Sequence, residues 1–280
     1  AGVGADATTV VAASARGTVF AFDAASGKQR WKVKATTEVL SAPAVGSGVV
    51  VVRSMDNKIV AYDVETGERR WTIQRTAPAL VLRSAPGIVI NDGTAFVGLP
   101  AGRLLAINTA TGVAGWDAPI AEPRGATELE RVADVSGMPA LLGREICATA
   151  YQGRIACVDT GNGSLRWARE FSADVGPAMD QRYVFAADEV GSLAGFSRDT
   201  GGSLWRSTAL RGRTLSSPVS FGRAVVVGDK EGYLHFLSRE EGAMLARLSV
   251  GSQVRAAPIV TGANLVVQTI DGKLIAITTE

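Results

Sequence analysis

The sequence predicts an all-β fold, a β-propeller of four-stranded blades, with seven units in a single domain over residues 1–280. Three observations predict it. The segment 17–31, Gly-Thr-Val-Phe-Ala-Phe-Asp-Ala-Ala-Ser-Gly-Lys-Gln-Arg-Trp, recurs along the whole chain. All five tryptophans, Trp31, Trp71, Trp116, Trp167 and Trp205, occupy the same place in that segment. Ahead of each later copy, a proline (Pro43, Pro86, Pro139, Pro177, Pro218, Pro258) precedes a short apolar run. Four short strands per unit of about 40 residues, repeated end to end, point to a propeller.

The units start near residues 3, 43, 86, 139, 177, 218 and 258. The first strand of each is expected to begin at the proline, where a missing N–H costs no ladder bond. The second is the apolar run, such as Val49-Val50-Val51-Val52 or Ala224-Val225-Val226-Val227. The third is the alternating piece that follows Gly17, Asn57, Gly102, Gly153, Gly191, Gly232 and Gly272, spaced 40, 45, 51, 38, 41 and 40 residues apart. The fourth is centred on the Trp. Segments such as Met55-Asp56-Asn57 and Tyr151-Gln152-Gly153 supply residues that tolerate positive φ in a tight hairpin. In segments such as Asp63-Val64-Glu65-Thr66-Gly67 the Asp can bond the backbone two residues on, and Gly takes the left-handed position. The sixth copy carries Ala246 in place of Trp. The seventh is expected to hold only three strands, over 258–261, 265–269 and 273–278.

Composition narrows the function. Lys+Arg number 29 against 27 Asp+Glu, a net charge of +2, which is no electrostatic footprint for nucleic acid. No apolar run approaches the roughly 18 residues of a membrane helix. One His and two Cys exclude a Cys/His zinc site, a disulfide framework and most Ser-His-Asp or Cys-His schemes. Catalytic, cofactor and metal residues are therefore assigned to none. His235 lies in a third strand, where other units carry Ala21, Ala61, Ala106 or Ala194, and is expected to be structural or partly solvated. The five tryptophans are expected to be packing residues, because a ligand site breaks symmetry and these repeat it. Cys147 and Cys157 lie on opposite arms of one hairpin, and spacing leaves their register open. They are expected as two buried thiols, with a cross-strand disulfide as the alternative.

The unit Gly-x-(Leu/Val)-x-Ala-Phe/Leu-Asp/Asn-x-x-Thr/Ser-Gly-x-x-x-Trp resembles the PQQ-type propeller repeat with its tryptophan-docking motif. Three further segments resemble the family of the outer-membrane assembly factor BamB. Residues 228–235, Gly-Asp-Lys-Glu-Gly-Tyr-Leu-His, are similar to its Gly-Asp-Ser-Glu-Gly-Tyr-Leu-His. Residues 126–135, Ala-Thr-Glu-Leu-Glu-Arg-Val-Ala-Asp-Val, are similar to its Ser-Thr-Glu-Ile-Asp-Arg-Leu-Ser-Asp-Val loop. Residues 78–83, Pro-Ala-Leu-Val-Leu-Arg, are similar to its Pro-Ser-Leu-Ser-Leu-Arg. The resemblance implies an eight-bladed, non-enzymatic lipoprotein at the periplasmic face of the outer membrane, held there by an N-terminal lipid anchor. Its implied partners are BamA, through the POTRA domains, and unfolded outer-membrane proteins. This chain has seven units and no lipidation Cys near residue 1. The expectation is that the native N-terminus carried that Cys, a closing strand and one more blade.

Deviations from blade symmetry mark candidate binding loops. Trp116 and Pro139 are 23 residues apart, against 12 from Trp31 to Pro43. In that insert Thr127 and Glu130 fit a capping box, so a short helical turn is expected. Glu128, Glu130, Arg131 and Asp134 would crowd one small surface with charge. Trp71 and Pro86 are 15 apart, and Leu80 and Leu82, expected on one strand face, sit beside Arg83 in a composition suited to a protein interface. The resemblance implies that Leu80, Leu82, Arg83 and Asp134 bind BamA. A second acidic position of the family falls on Ser136, which is not acidic. The two loops follow consecutive Trp residues and are expected to lie side by side. The rival readings are a sensor domain of a larger receptor and a quinoprotein dehydrogenase fragment. The latter needs a vicinal Cys pair, and Cys147 and Cys157 are ten apart.

Overall fold

The computed structural model describes residues 2–76, 78–82 and 86–278. Among the described residues, 27 strands form six four-stranded antiparallel sheets and one three-stranded sheet, with no helix. These are the blades of a propeller, over 3–34, 44–74, 88–119, 135–170, 178–207, 219–249 and 259–278. Strands pair in chain order within every blade. Val3–Ala5 pairs with Thr9–Ala13 of its own blade, and blade 7 consists of Ile259–Thr261, Asn264–Gln268 and Leu274–Thr278. The first strands of successive blades pack on one another from blade 1 to blade 7, so they form the innermost layer.

Neighbouring blades cover both faces of the second and third strands. Val49–Arg53 is buried at four of its five positions, and Arg103–Asn108 at its four central ones. That two-sided burial is why these strands read as unbroken apolar runs instead of alternating ones. The cores lie between the blades: Trp31 of blade 1, for example, joins Val50, Val52, Val60 and Tyr62 of blade 2 in one cluster.

Each Trp performs the same task. Trp31 Nε1 donates to Val64 O of the next blade at 2.9 Å, and Trp71 Nε1 to Thr109 O at 2.7 Å. Trp116, Trp167 and Trp205 donate in turn to Thr160 O, Arg198 O and Arg239 O. Each indole lies flat on the glycine three residues beyond its acceptor. A Cβ on Gly201, whose φ is +65°, would stand 2.4 Å from the Trp167 ring. Within its own blade each Trp faces a small residue: Ala21, Ala61, Ala106, Cys157 or Gly195. In blade 6 the sizes are exchanged, with Phe236 opposite Ala246.

Register corrects three expectations. His235 pairs with Val227 and Arg247, one position before the residue that faces the fourth-strand Trp place, so its counterparts include Val60, Leu105 and Ala194, not Ala21, Ala61 or Ala106. It is fully buried, with Nε2 at 2.8 Å from Asp229 Oδ2. Pro139 lies inside the strand Val135–Leu142 instead of opening it. Pairing jumps from Ser136–Thr149 to Ala140–Cys147 there, so Gly137, Met138 and Pro139 bulge out and the proline leaves no ladder bond unmade. The cysteines are not free thiols. Cys147 stands directly opposite Cys157 with Cα atoms 4.0 Å apart, and the two form a disulfide within the contact between blades 4 and 5. Changing both to alanine is expected to lower stability by about 3 kcal/mol, the loop-closure entropy of so short a ring. A thermal melt checks this; an unchanged midpoint would mean that hairpin pairing already supplies all of the constraint.

Candidate partner interface

Strand direction alternates within each blade. The connection from the fourth strand to the next blade therefore emerges on the same side as the hairpin between strands two and three. That side carries the described residues of both asymmetric loops, 75–76, 78–82, 86–87 and 120–134.

Asp134 ties them together. Its carboxylate accepts the Leu82 N–H at 2.6 Å and the Ala101 N–H at 3.0 Å, and its backbone O accepts the Tyr151 N–H at 2.9 Å. Gly87 N–H donates to Gly137 O at 2.7 Å and completes the seam. Segments reached through the Leu82, Ala101 and Tyr151 N–H groups thus converge on one residue, Asp134, which is 3% exposed. Beneath them lies Arg53, whose guanidinium donates to Asn57 Oδ1 at 2.9 Å and to Gly98 O at 3.4 Å. Burial pushes the Arg53 pKa down to about 10, and the Asp134 charge works against that shift. Ser136 is buried, with its hydroxyl on Asp134 O.

The 122–134 insert folds as its capping pattern suggests, but into turns, not a helix. Glu130 Oε2 accepts the N–H groups of Thr127 at 3.1 Å and Ala126 at 2.8 Å, while Glu130 N–H donates to Thr127 Oγ1 at 3.2 Å. Those two N–H groups hold the Glu130 carboxyl below its ordinary pKa. Arg131 Nε donates to Gly125 O at 2.9 Å. Glu130 and Arg131 therefore brace their own loop, whereas Glu128 and Leu129 point outward, Leu129 being 69% exposed.

In the other loop Leu80 is 45% exposed and Leu82 is half-buried. No strand forms over 78–82, so the two do not share a strand face; the Leu82 N–H turns inward to Asp134 instead. Arg83 lies outside the described residues. The structure thus brings Leu82 against Asp134, with Leu80 two residues before the one and the Glu128–Arg131 turn just ahead of the other along the chain. Sequence reasoning missed Arg53 and Ala101, because neither breaks the repeat: one sits at a strand end and the other in a routine hairpin.

Among the described residues one cluster of metal-type donors occurs, Glu145, Cys147 and Cys157, with donor atoms within 4.8 Å of one another. The sulfurs are bonded to each other, and Glu145 Oε2 accepts Arg198 Nε–H at 2.7 Å, so the cluster offers no thiolate to a cation.

A sequence profile described as "Outer membrane protein assembly factor BamB" matches residues 1–205 and 189–280. The BamB of Bordetella pertussis is 47% identical over 279 residues, covering 99% of this chain and 72% of that protein. The BamB of Burkholderia pseudomallei is 40% identical over 274 residues, covering 97% and 72%. The crystal structure of BamB from Moraxella catarrhalis superposes with a TM-score of 0.93 at 25% identity, over 99% of this chain and 84% of that one. Profile, relatives and blade architecture agree along almost the entire chain, which therefore belongs to the BamB family of outer-membrane protein assembly factors.

Proposed function

We propose that the chain is a non-enzymatic scaffold of the outer-membrane β-barrel assembly machine, working on the periplasmic face of that membrane. Its partner in this reading is BamA, bound through the POTRA domains at the face built from residues 78–83 and 122–134. The observation that carries it is the buried Asp134 strut. It holds Leu80 on a loop that two neighbouring blades pin in place, and Leu129 projects from the adjoining turn. Exposed apolar side chains on a pinned loop lose little entropy on docking, which is how a small patch comes to dominate binding. A lipid anchor preceding this segment belongs to the same proposal.

Leu80→Glu and Arg83→Glu are each expected to weaken binding to purified POTRA domains by about 2 kcal/mol or more, as the loss of a central anchor does. Calorimetric titration checks this alongside a thermal melt. Wild-type affinity in both variants, with the fold intact, would sink the assignment of this face.

A further inference from the structure

Beside the 78–82 segment, on the same face, a groove of about 520 Å³ opens between blades 2 and 3. Pro78, Leu99 and Pro100 supply its apolar lining, and Arg75, Arg103 and Asp117 its charged lining. Pro78 belongs to the loop that Asp134 pins, and Ala101, also in the lining, donates to Asp134. The groove is thus continuous with the interface described above.

Its charges do not balance. Two guanidiniums share one carboxylate: Arg103 Nε donates to Asp117 Oδ1 at 2.8 Å, and Arg75 Nη2 lies 3.6 Å from Asp117 Oδ2. Asp56, on the neighbouring hairpin, is already engaged by Lys58 at 3.3 Å. Arg75 Nε is buried without an acceptor, and so is Nε of Arg53, which sits behind Asn57 in the groove lining. Donors outnumber acceptors, and each buried donor left unpaired carries a desolvation cost. Arg103 Nη2 also donates to Asp117 O at 2.7 Å, which fixes that guanidinium, while the Arg75 and Arg103 side chains remain 36% and 38% exposed and leave Arg103 Nη1 and the Arg75 Nη groups to meet an incoming group. A planar guanidinium fork matches a carboxylate with two parallel hydrogen bonds, and the apolar wall would take the methylene stem behind it.

We infer that this groove receives an aspartate or glutamate side chain of the protein partner, held by Arg75 and Arg103 beside the Leu80 anchor. The inference rests on the partner reading above and adds the chemistry that the partner presents. It makes the recognition two-part, with an apolar contact at Leu80 and a carboxylate clamp next to it.

The test is titration of the full chain with purified POTRA domains at about 50 and about 300 mM salt, a range over which exposed charge pairs are progressively screened. Arg75→Gln is expected to weaken binding about tenfold at the lower salt and to flatten the salt dependence, because a lost rim charge acts on both. Arg75→Lys restores charge without the fork and is expected to recover the salt dependence but only part of the affinity. Thermal melts of both variants should match wild type, since Arg75 is half-buried and its one carboxylate is shared with Arg103. If Arg75→Gln keeps wild-type affinity and salt slope while Leu80→Glu loses binding, the groove proposal falls and the partner reading stands. If the wild-type chain does not bind POTRA domains, both fall. Arg75-dependent binding to phosphatidylglycerol vesicles, with POTRA binding unchanged, would assign the groove to lipid phosphate and overturn the proposal.

Discussion

Replacing Trp167 by alanine is expected to cost about 3–5 kcal/mol of stability, the loss that follows removal of a large buried aromatic from a packed core. The indole is 5% exposed and lies between blades 4 and 5. It rests on Gly201, sits 6.1 Å from the Phe196 ring, and closes the contact with a 2.7 Å hydrogen bond to Arg198 O. Alanine leaves a cavity and an unpaired carbonyl together. The gap cannot collapse easily, because both blades are held by their own sheet pairing and by the Glu145–Arg198 ion pair at 2.7 Å. Thermal melting or denaturant titration reads the effect. A Trp167→Ala protein with the wild-type midpoint would show that the blades are held together without this ring. The contact between blades 6 and 7 has no Trp, since Ala246 stands in its place, so the penalty is expected at five blade contacts and not at that one.

A loss of about 2–4 kcal/mol is expected for Asp229→Ala, because removing one partner strands the Arg213 charge and leaves buried donors unpaired. The Asp229 carboxylate is fully buried. It meets His235 Nε2 at 2.8 Å and the Arg213 guanidinium, and it accepts the N–H groups of Glu231 at 3.0 Å and Tyr233 at 2.9 Å. The figure sits below the full range for a buried pair because Arg213 is 27% exposed and also reaches Glu231. Burial pushes the Asp229 pKa up, and the hydrogen bonds from His235, Tyr233 N–H and Arg213 together outweigh it, leaving the pKa lowered. The sign of the pH dependence follows. A lowered folded pKa contributes stability that is complete above the unfolded carboxylate value of about 3.9 and disappears as pH falls through the folded value. The stability gap between wild type and Asp229→Asn should therefore narrow in acid, as the Asp229 carboxylate takes up its proton. A gap that stayed at its neutral-pH size through the acid range would contradict the Asp229–Arg213 ion pair.

Much of this architecture is legible in the chain because repetition amplifies weak local signals. A single apolar run at 49–52 is ambiguous between strand and buried helix; six more in the same relation to a Gly-led segment are not. Blade number, strand order, the three-stranded last unit and the packing role of the tryptophans all follow from the period. The asymmetric loops stand out for the same reason, as departures from it.

Register was out of reach, since a one-residue slip leaves composition and spacing untouched while changing every cross-strand neighbour. That is why the Cys147–Cys157 bond, the true counterparts of His235 and the bulge holding Pro139 emerged only from strand pairing. The proposed interface divides along the same line. Leu80, Arg83 and the acidic insert are visible locally as unusual composition. The Asp134 strut joins positions 52 and 33 residues apart, and the groove combines side chains from two blades around Arg75 and Arg103. Contacts of that kind depend on how neighbouring blades close on one another, a packing decision that no local stretch of sequence encodes.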